Sequence, residues 1–263
     1  MLSLAGLIAV AASGNFGIRG VEGALVQEFR WSGRVARGKT VEVKGINGDI
    51  RAASASGGDV EVLARKRGRK SDAAEVKIEV VEHSGGVTIC AVYPDKRKGR
   101  RNKCAPGSAA HLSANDNDVE VDFTVRLPGG VRFVGQTVNG DVEASSLGGD
   151  VRASTVNGDV RVSTSGLAEA STVNGSIDAA FRSANWDDEL EFSTVNGSIT
   201  LDLPADTNTE VRARTVNGRL ETDFPLTISG RFSARNMRGT IGSGGRRLEL
   251  STVNGDIRLR RGG

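Results

Sequence analysis

A chain of 263 residues with net charge +3 is long enough to bury a core, yet aromatics make up only 4% of it while glycine supplies 35 residues. Such a core must be built in thin layers of valine, alanine, leucine and isoleucine, and the lack of any heptad or long helical period excludes a bundle. The positive balance is local, because two short runs hold eleven lysines and arginines and the remainder is net acidic.

Residues 1–24 read as an apolar leader. The run Leu2–Ala12 in MLSLAGLIAVAAS ends in small residues, which suits the apolar stretch of an export signal and is too short to cross a bilayer as a helix. A basic segment ahead of it is missing, and a disordered apolar tail is the alternative. No later stretch reaches spanning length, so the mature chain is expected to lack a transmembrane span.

Residues 25–135 hold one sentence, GKTVEVKGINGDIRAAS, that returns later in the chain, with Asn47 before the glycine. Strand-like runs follow at DVEVLARK, AEVKIEVVEH, GGVTICAVY and NDVEVDFTVRLP. These predict longer strands that start a solenoid, with two basic segments on protruding loops. Arg65, Lys66, Arg67, Arg69 and Lys70 form the first segment; Lys96, Arg97, Lys98, Arg100, Arg101 and Lys103 form the second. Cys90 and Cys104 flank the second segment and are the only cysteines. In an exported chain they predict one disulfide, worth about 3 kcal/mol by loop closure; otherwise they are two small apolar residues.

Residues 136–263 form a regular array. Aligned on the residue before the turn glycine, the slots are Asn139, Asn157, Asn174, Asn196, Asn217, then Arg238 in a degenerate NMRG, then Asn254. The intervals of 18, 17, 22, 21, 21 and 16 residues are those of a solenoid. Before each turn the apolar positions alternate with polar ones: Val151/Ala153, Ala168/Ala170, Leu190/Phe192, Val211/Ala213, Phe232/Ala234 and Leu248/Leu250. After each turn Val160/Val162, Ile177/Ala179, Ile199/Leu201, Leu220/Thr222, Ile241/Ser243 and Ile257/Leu259 do the same. Period-two alternation marks strands with one buried face. The prediction is an all-β parallel β-solenoid, or β-helix, with two short strands per coil of 16–22 residues and right-handed winding by the usual crossover preference. Hairpin meanders are the competing topology. Stacking in sequence order would align the slot asparagines as an amide ladder, interrupted at Arg238, beside ladders of threonine and valine. Arg258, Arg260 and Arg261 would then guard the last edge.

TVEVKGINGDIRA, DFTVRLPGGVRF and the serial TVNGD or TVNGS turns together resemble a bacterial family of adhesin-like β-strand-repeat domains of unknown function, over roughly residues 27–259. The resemblance implies an exported β-solenoid of the cell envelope and carries no catalytic residues.

The chemistry points the same way. A calcium-binding nonapeptide coil needs G-G-x-G-x-D, but Asp150 follows its two glycines directly and the turn-exit aspartate becomes Ser176, Ser198 or Arg219. No metal site and no cofactor are expected. Glu169 and Glu191 occupy matching outward positions that a carbohydrate-active β-helix enzyme could use; the plainer reading is a solvated face compensated by Arg152 and Arg212. Trp186, in RSANWDDE, caps a local apolar cluster or offers an exposed contact. The basic segments suit an anionic envelope polymer, a lipid surface or an envelope protein. They lack the aromatics that base stacking needs, so no specific nucleic acid is expected. The leading expectation is a non-enzymatic, exported binding or scaffold protein, with a regulatory or stress-response envelope accessory as the alternative.

Overall fold

The structure, a computed structural model, describes residues 26–95, 101–114, 116–183, 186, 188–228, 233 and 235–262. The leader lies outside the described residues. The amino-terminal part contributes β1 (Gln27–Gly33), β2 (Thr40–Lys44), β3 (Ile50–Ser54), β4 (Val60–Arg67), β5 (Lys77–His83), β6 (Gly86–Val92) and β7 (Glu120–Leu127). The array follows with β8 (Arg132–Gln136), β9 (Val142–Leu147), β10 (Val151–Ser154), β11 (Val160–Thr164), β12 (Ala168–Ser171), β13 (Ile177–Phe181), β14 (Leu190–Ser193) and β15 (Ile199–Leu203). The last third holds β16 (Thr209–Arg214), β17 (Leu220–Thr222), β18 (Leu226–Ile228), β19 (Asn236–Ile241), β20 (Arg247–Ser251) and β21 (Ile257–Arg261).

These strands form two mixed sheets, and both run unbroken from the amino-terminal part into the array. One has the order β1-β4-β7-β3-β9-β11-β13-β15-β21-β17, the other β18-β19-β16-β20-β14-β12-β10-β8-β2-β6-β5. Through the array, successive strands alternate between the sheets and pair in parallel with their counterparts one rung away. Alternation in the sequence becomes alternation in burial. Val142, Val160, Ile177, Ile199 and Ile257 line up across one sheet, each no more than 1% exposed, and Phe133, Leu190, Phe192 and Leu248 project inward from the other.

The corner between the sheets is built from TVNG. Each slot asparagine donates its amide to the next one's oxygen, from Asn139 to Asn47 at 2.9 Å through Asn196 to Asn174 at 2.8 Å. The threonine before it is buried, and its hydroxyl donates to the turn-glycine carbonyl of the neighbouring rung, as Thr172 does to Gly158 at 2.9 Å. Glycine is required by close stacking: a Cβ on Gly158, whose φ is +156°, would lie 2.1 Å from the Gly140 carbonyl oxygen. The asparagines do not adopt left-handed backbone, since Asp116 and Ser146 are the only described non-glycine residues with positive φ. They serve the amide ladder.

The stacking order departs from the sequence order at both ends. Asn47 lies directly beside Asn139, although 92 residues separate them. The intervening chain runs outward and returns, placing β6 and β7 outside β2 and β3 and adding β1, β4 and β5 as antiparallel strands beyond. At the other end β20 and β21 are inserted between the β14/β15 rung and the β16/β17 rung, so the amide ladder runs Asn196, Asn254, Asn217. NMRG is therefore not a coil. Residues Asn236–Ile241 form β19, antiparallel to β16, and Arg238 interrupts no ladder. Phe232 and Ala234 lie outside the described residues, and Ser243 is exposed in the following turn. Arg258, Arg260 and Arg261 sit on an interior rung, where they cannot guard an edge.

Candidate binding surface

The first basic segment is mostly strand, not loop, because DVEVLARKR continues the alternation of β4. Lys66 has the inward parity of Val60, Val62 and Ala64. It is buried, its Nζ donates to the Val76 carbonyl at 2.9 Å, and burial lowers its pKa against the opposing effect of Asp72. It offers no contact to a partner. Arg65 points outward but is engaged by Glu28 at 3.0 Å, and the hydrogen bonds from Arg65 and then Arg30 hold the Glu28 carboxyl below the usual range. Arg67 is engaged by Asp122 and, at 3.8 Å, by Glu120. Arg69 and Lys70 lie beyond the strand, exposed. The backbone N–H groups of Lys70 and Ser71 donate to Asp118 at 2.9 and 2.8 Å, an arrangement led by Ser71 that lowers the Asp118 pKa.

Of the second segment, Lys96, Arg97, Lys98 and Arg100 lie outside the described residues. Arg101 and Lys103 are exposed on either side of Asn102, whose amide donates to the carbonyls of Tyr93 and Ser113 at 2.9 and 2.8 Å. Cys90 and Cys104 are bonded, with 5.7 Å between their Cα atoms. Tyr93 in turn donates its hydroxyl to the Val119 carbonyl at 2.7 Å. The chain from Asn117 to Val119 is thus held by Lys70 and Ser71 through Asp118 and by Tyr93 through Val119. Arg69 and Lys70 follow β4, and Arg101 and Lys103 follow β6, so both pairs belong to the amino-terminal end of the stack, where all four are exposed. A cavity of about 730 Å³ beside Arg67, Arg69 and Lys70 is also lined by Asp49, Asp118, Glu120 and Asp122, so its charge is mixed.

A polar network missed in the sequence lies under the disulfide-tied strap. On the outer face of β2 and β6, Glu42, Lys44 and Thr88 are buried. Lys44 Nζ is 3.0 Å from Glu42 Oε1 and donates to the carbonyls of Ala105, at 3.2 Å, and Gly107. Thr88 donates to Glu42 at 2.8 Å, and the Gly107 N–H donates to the same carboxylate at 3.1 Å. His83 Nε2 lies 3.2 Å from the Thr88 hydroxyl. The hydrogen bonds from Thr88 and Gly107 to Glu42 and from Lys44 to the strap carbonyls are what a buried ion pair needs to offset the loss of water. The one available signal was parity: Thr88 and Cys90 face outward, so whatever Cys90 bonds must cross that face.

The opposite charge gathers further along the same sheet. Glu169, Glu191 and Glu249 are consecutive neighbours, flanked by Arg152, 2.5 Å from Glu169, and by Arg212. Glu191 therefore lies beside Glu249, not beside Arg212, because of the inserted rung. A groove of about 710 Å³ is lined by Arg152, Glu169, Asp188 and Glu189 together with the strap residues Gly107 and Ser108. Trp186 does not reach out to it as a contact. It is buried, 5.8 Å from the Phe181 ring, which meets Phe192 edge-on at 6.1 Å. Along the corner, the turn valines make an exposed apolar line, from 37% exposed at Val138 to 49% at Val216. Among the described residues no group of three or more histidine, cysteine, aspartate or glutamate side chains comes together as a metal site.

The family described as Toastrack DUF4097 matches residues 1–260. The chain belongs to this family. No curated protein matches it. Among solved structures, a protein described as a "putative cell adhesion protein" from Clostridium sporogenes is similar at 11% identity and a TM-score of 0.48, covering 89% of this chain and 99% of its own. A "putative adhesin" from Bacteroides fragilis is similar at 13% identity and a TM-score of 0.29, covering 88% and 96%. The family match agrees with the resemblance carried by the TVNG turns. Among the described residues no helix is long and apolar enough to cross a membrane.

Proposed function

We propose that the chain acts as an exported, non-catalytic binding rod: a right-handed β-solenoid with two short strands per coil, whose amino-terminal cap attaches to anionic components of the cell envelope. The observation that carries this reading is the exposure of Arg69, Lys70, Arg101 and Lys103, all on the amino-terminal end of the stack. Arg65 and Arg67 are already engaged by carboxylates and Lys66 is buried. Within the first segment, Arg69 and Lys70 are therefore the cations that supply the contact. Export is supported by the Cys90–Cys104 bond, which persists in an oxidising compartment.

Each cation near an anionic surface contributes about 1 kcal/mol, so four of them change affinity by up to roughly a thousandfold. The test is co-sedimentation with phosphatidylglycerol vesicles against phosphatidylcholine vesicles. Binding should require the anionic lipid, weaken as salt shortens the screening length, and fall sharply when Arg69, Lys70, Arg101 and Lys103 are all changed to serine. A variant that sediments like the parent, or binding indifferent to salt, overturns the proposal.

A further inference from the structure

The inserted rung fits a second copy of this chain. β20 and β21 occupy a slot one rung wide, walled on one side by β14/β15 and on the other by β16/β17. Leu248, Leu250, Ile257 and Leu259 fill it and are at most 1% exposed. On the outer corner Asn254 completes the amide ladder, donating to Asn196 at 2.7 Å and accepting from Asn217 at 2.8 Å. The chain enters this rung from Ile241 through the glycine-rich turn GSGGR. Gly242, Gly244 and Gly245 there have φ of +59°, +79° and +146°. The turn is pinned by Asn208, whose side-chain oxygen accepts from the Ser243 N–H at 2.8 Å and from its hydroxyl at 3.1 Å.

We infer that the Arg247–Arg261 rung exchanges between two chains, giving a reciprocal rung-swapped dimer. The swap recreates every contact inside the slot, since the entering rung is identical to the one it replaces. What distinguishes monomer from dimer is only the conformation of the Gly242–Arg246 turn and the entropy of joining two chains. The repeat favours the exchange. A vacated slot presents two parallel edges and a turn ladder that a TVNG rung alone matches in register, because a slip by one residue would turn Leu248 and Leu250 outward.

Ser193 and Ser251 supply the test. They are register partners on β14 and β20, both half-buried on the outer face, and adjacent strands hold such partners about 4.8 Å apart, within reach of a disulfide. One chain carries Ser193→Cys and the other Ser251→Cys. The two are mixed after denaturation and refolded together at high concentration with Cys90–Cys104 kept oxidised. The expected result is a covalent dimer after oxidation, and none when the separately folded proteins are mixed. A single chain carrying both changes must close its own bond, which certifies the geometry. Deleting Gly244 and Gly245 should raise the dimer share on size-exclusion chromatography with light scattering, because the shortened turn cannot fold back. Co-refolded chains that stay monomeric while the double variant closes overturn the inference. So does a covalent dimer formed without unfolding, which would report surface collision.

Discussion

Replacing Leu250 and Leu220 by alanine, one at a time, separates the observed stacking order from the order in which the rungs are written. Were the rungs stacked in sequence order, Leu250 would lie on the last, half-open rung and Leu220 deep inside. In the structure Leu250 is 1% exposed, with Phe192 on one flank and Ala213 on the other, whereas Leu220 is half-buried with Ile257 as its only rung neighbour. Leu250→Ala removes fully buried methyl groups and leaves a cavity closed on both sides, which costs about 3 kcal/mol. Leu220→Ala loses about half the transfer energy of a leucine and opens no closed cavity, so about 1 kcal/mol is expected. In a chain of this size each kcal/mol lowers the melting temperature by about 2–4 °C, which puts the first variant about 6–12 °C below the parent and the second about 2–4 °C below. Thermal melts followed by circular dichroism in the far ultraviolet read both. Equal losses, or a larger loss for Leu220→Ala, refute the inserted rung.

Thr172→Val keeps the shape of the threonine ladder but removes the hydrogen bond to the half-buried Gly158 carbonyl; a loss of about 1 kcal/mol in urea unfolding is expected, and no loss would show that the ladder adds nothing. Tyr93 is the single tyrosine, so its phenolate absorbance reports one site. Burial is the main cause that pushes its pKa up to about 12, above the ordinary 10, so its contribution to stability is complete below pH 10 and is lost as pH rises through about 12. A spectrophotometric midpoint near 10 in the folded protein would mean that the ring and the Asn117–Val119 segment are open to water.

The two-sheet cross-section was legible because side-chain parity is a local property. Val151 and Ala153, or Ile199 and Leu201, reveal their buried face without reference to any neighbour. Stacking order is not local, and nearly identical rungs give no pattern by which Asn196 distinguishes Asn217 from Asn254. NMRG misled for the same reason: it stands 21 residues after Asn217 and places Ile241 inward, as a coil would, yet its strand runs the opposite way. Among the candidate contact residues, parity alone would have removed Lys66, since it shares the phase of Val60, Val62 and Ala64. The Glu42–Lys44 pair was hidden because alternation marks it as solvent-facing, and only the disulfide explains the strap that covers it.

Both ends of the stack meet one physical problem, and among the described residues antiparallel strands cover three of the four outermost parallel strands, β7, β6 and β16, but not β17. A parallel rung left outermost exposes a full row of N–H and C=O groups. A rung from the middle of the chain, such as β16/β17 or β6/β7, is followed or preceded closely enough by further chain to supply an antiparallel strand over that edge. Such strands are β19 beside β16 and β5 beside β6. β2/β3 and β20/β21 lie one place inward, each between two partner rungs. The two ends are not guarded equally. The amino-terminal edges carry Glu28 and Arg30 on β1 and Lys77, Glu79 and Glu82 on β5, charges that oppose pairing with another sheet. The other end finishes in the three-residue strands β17 and β18, with Ile228 48% exposed and Leu226 half-buried. The carboxyl-terminal edges are therefore the ones least guarded against pairing with another strand.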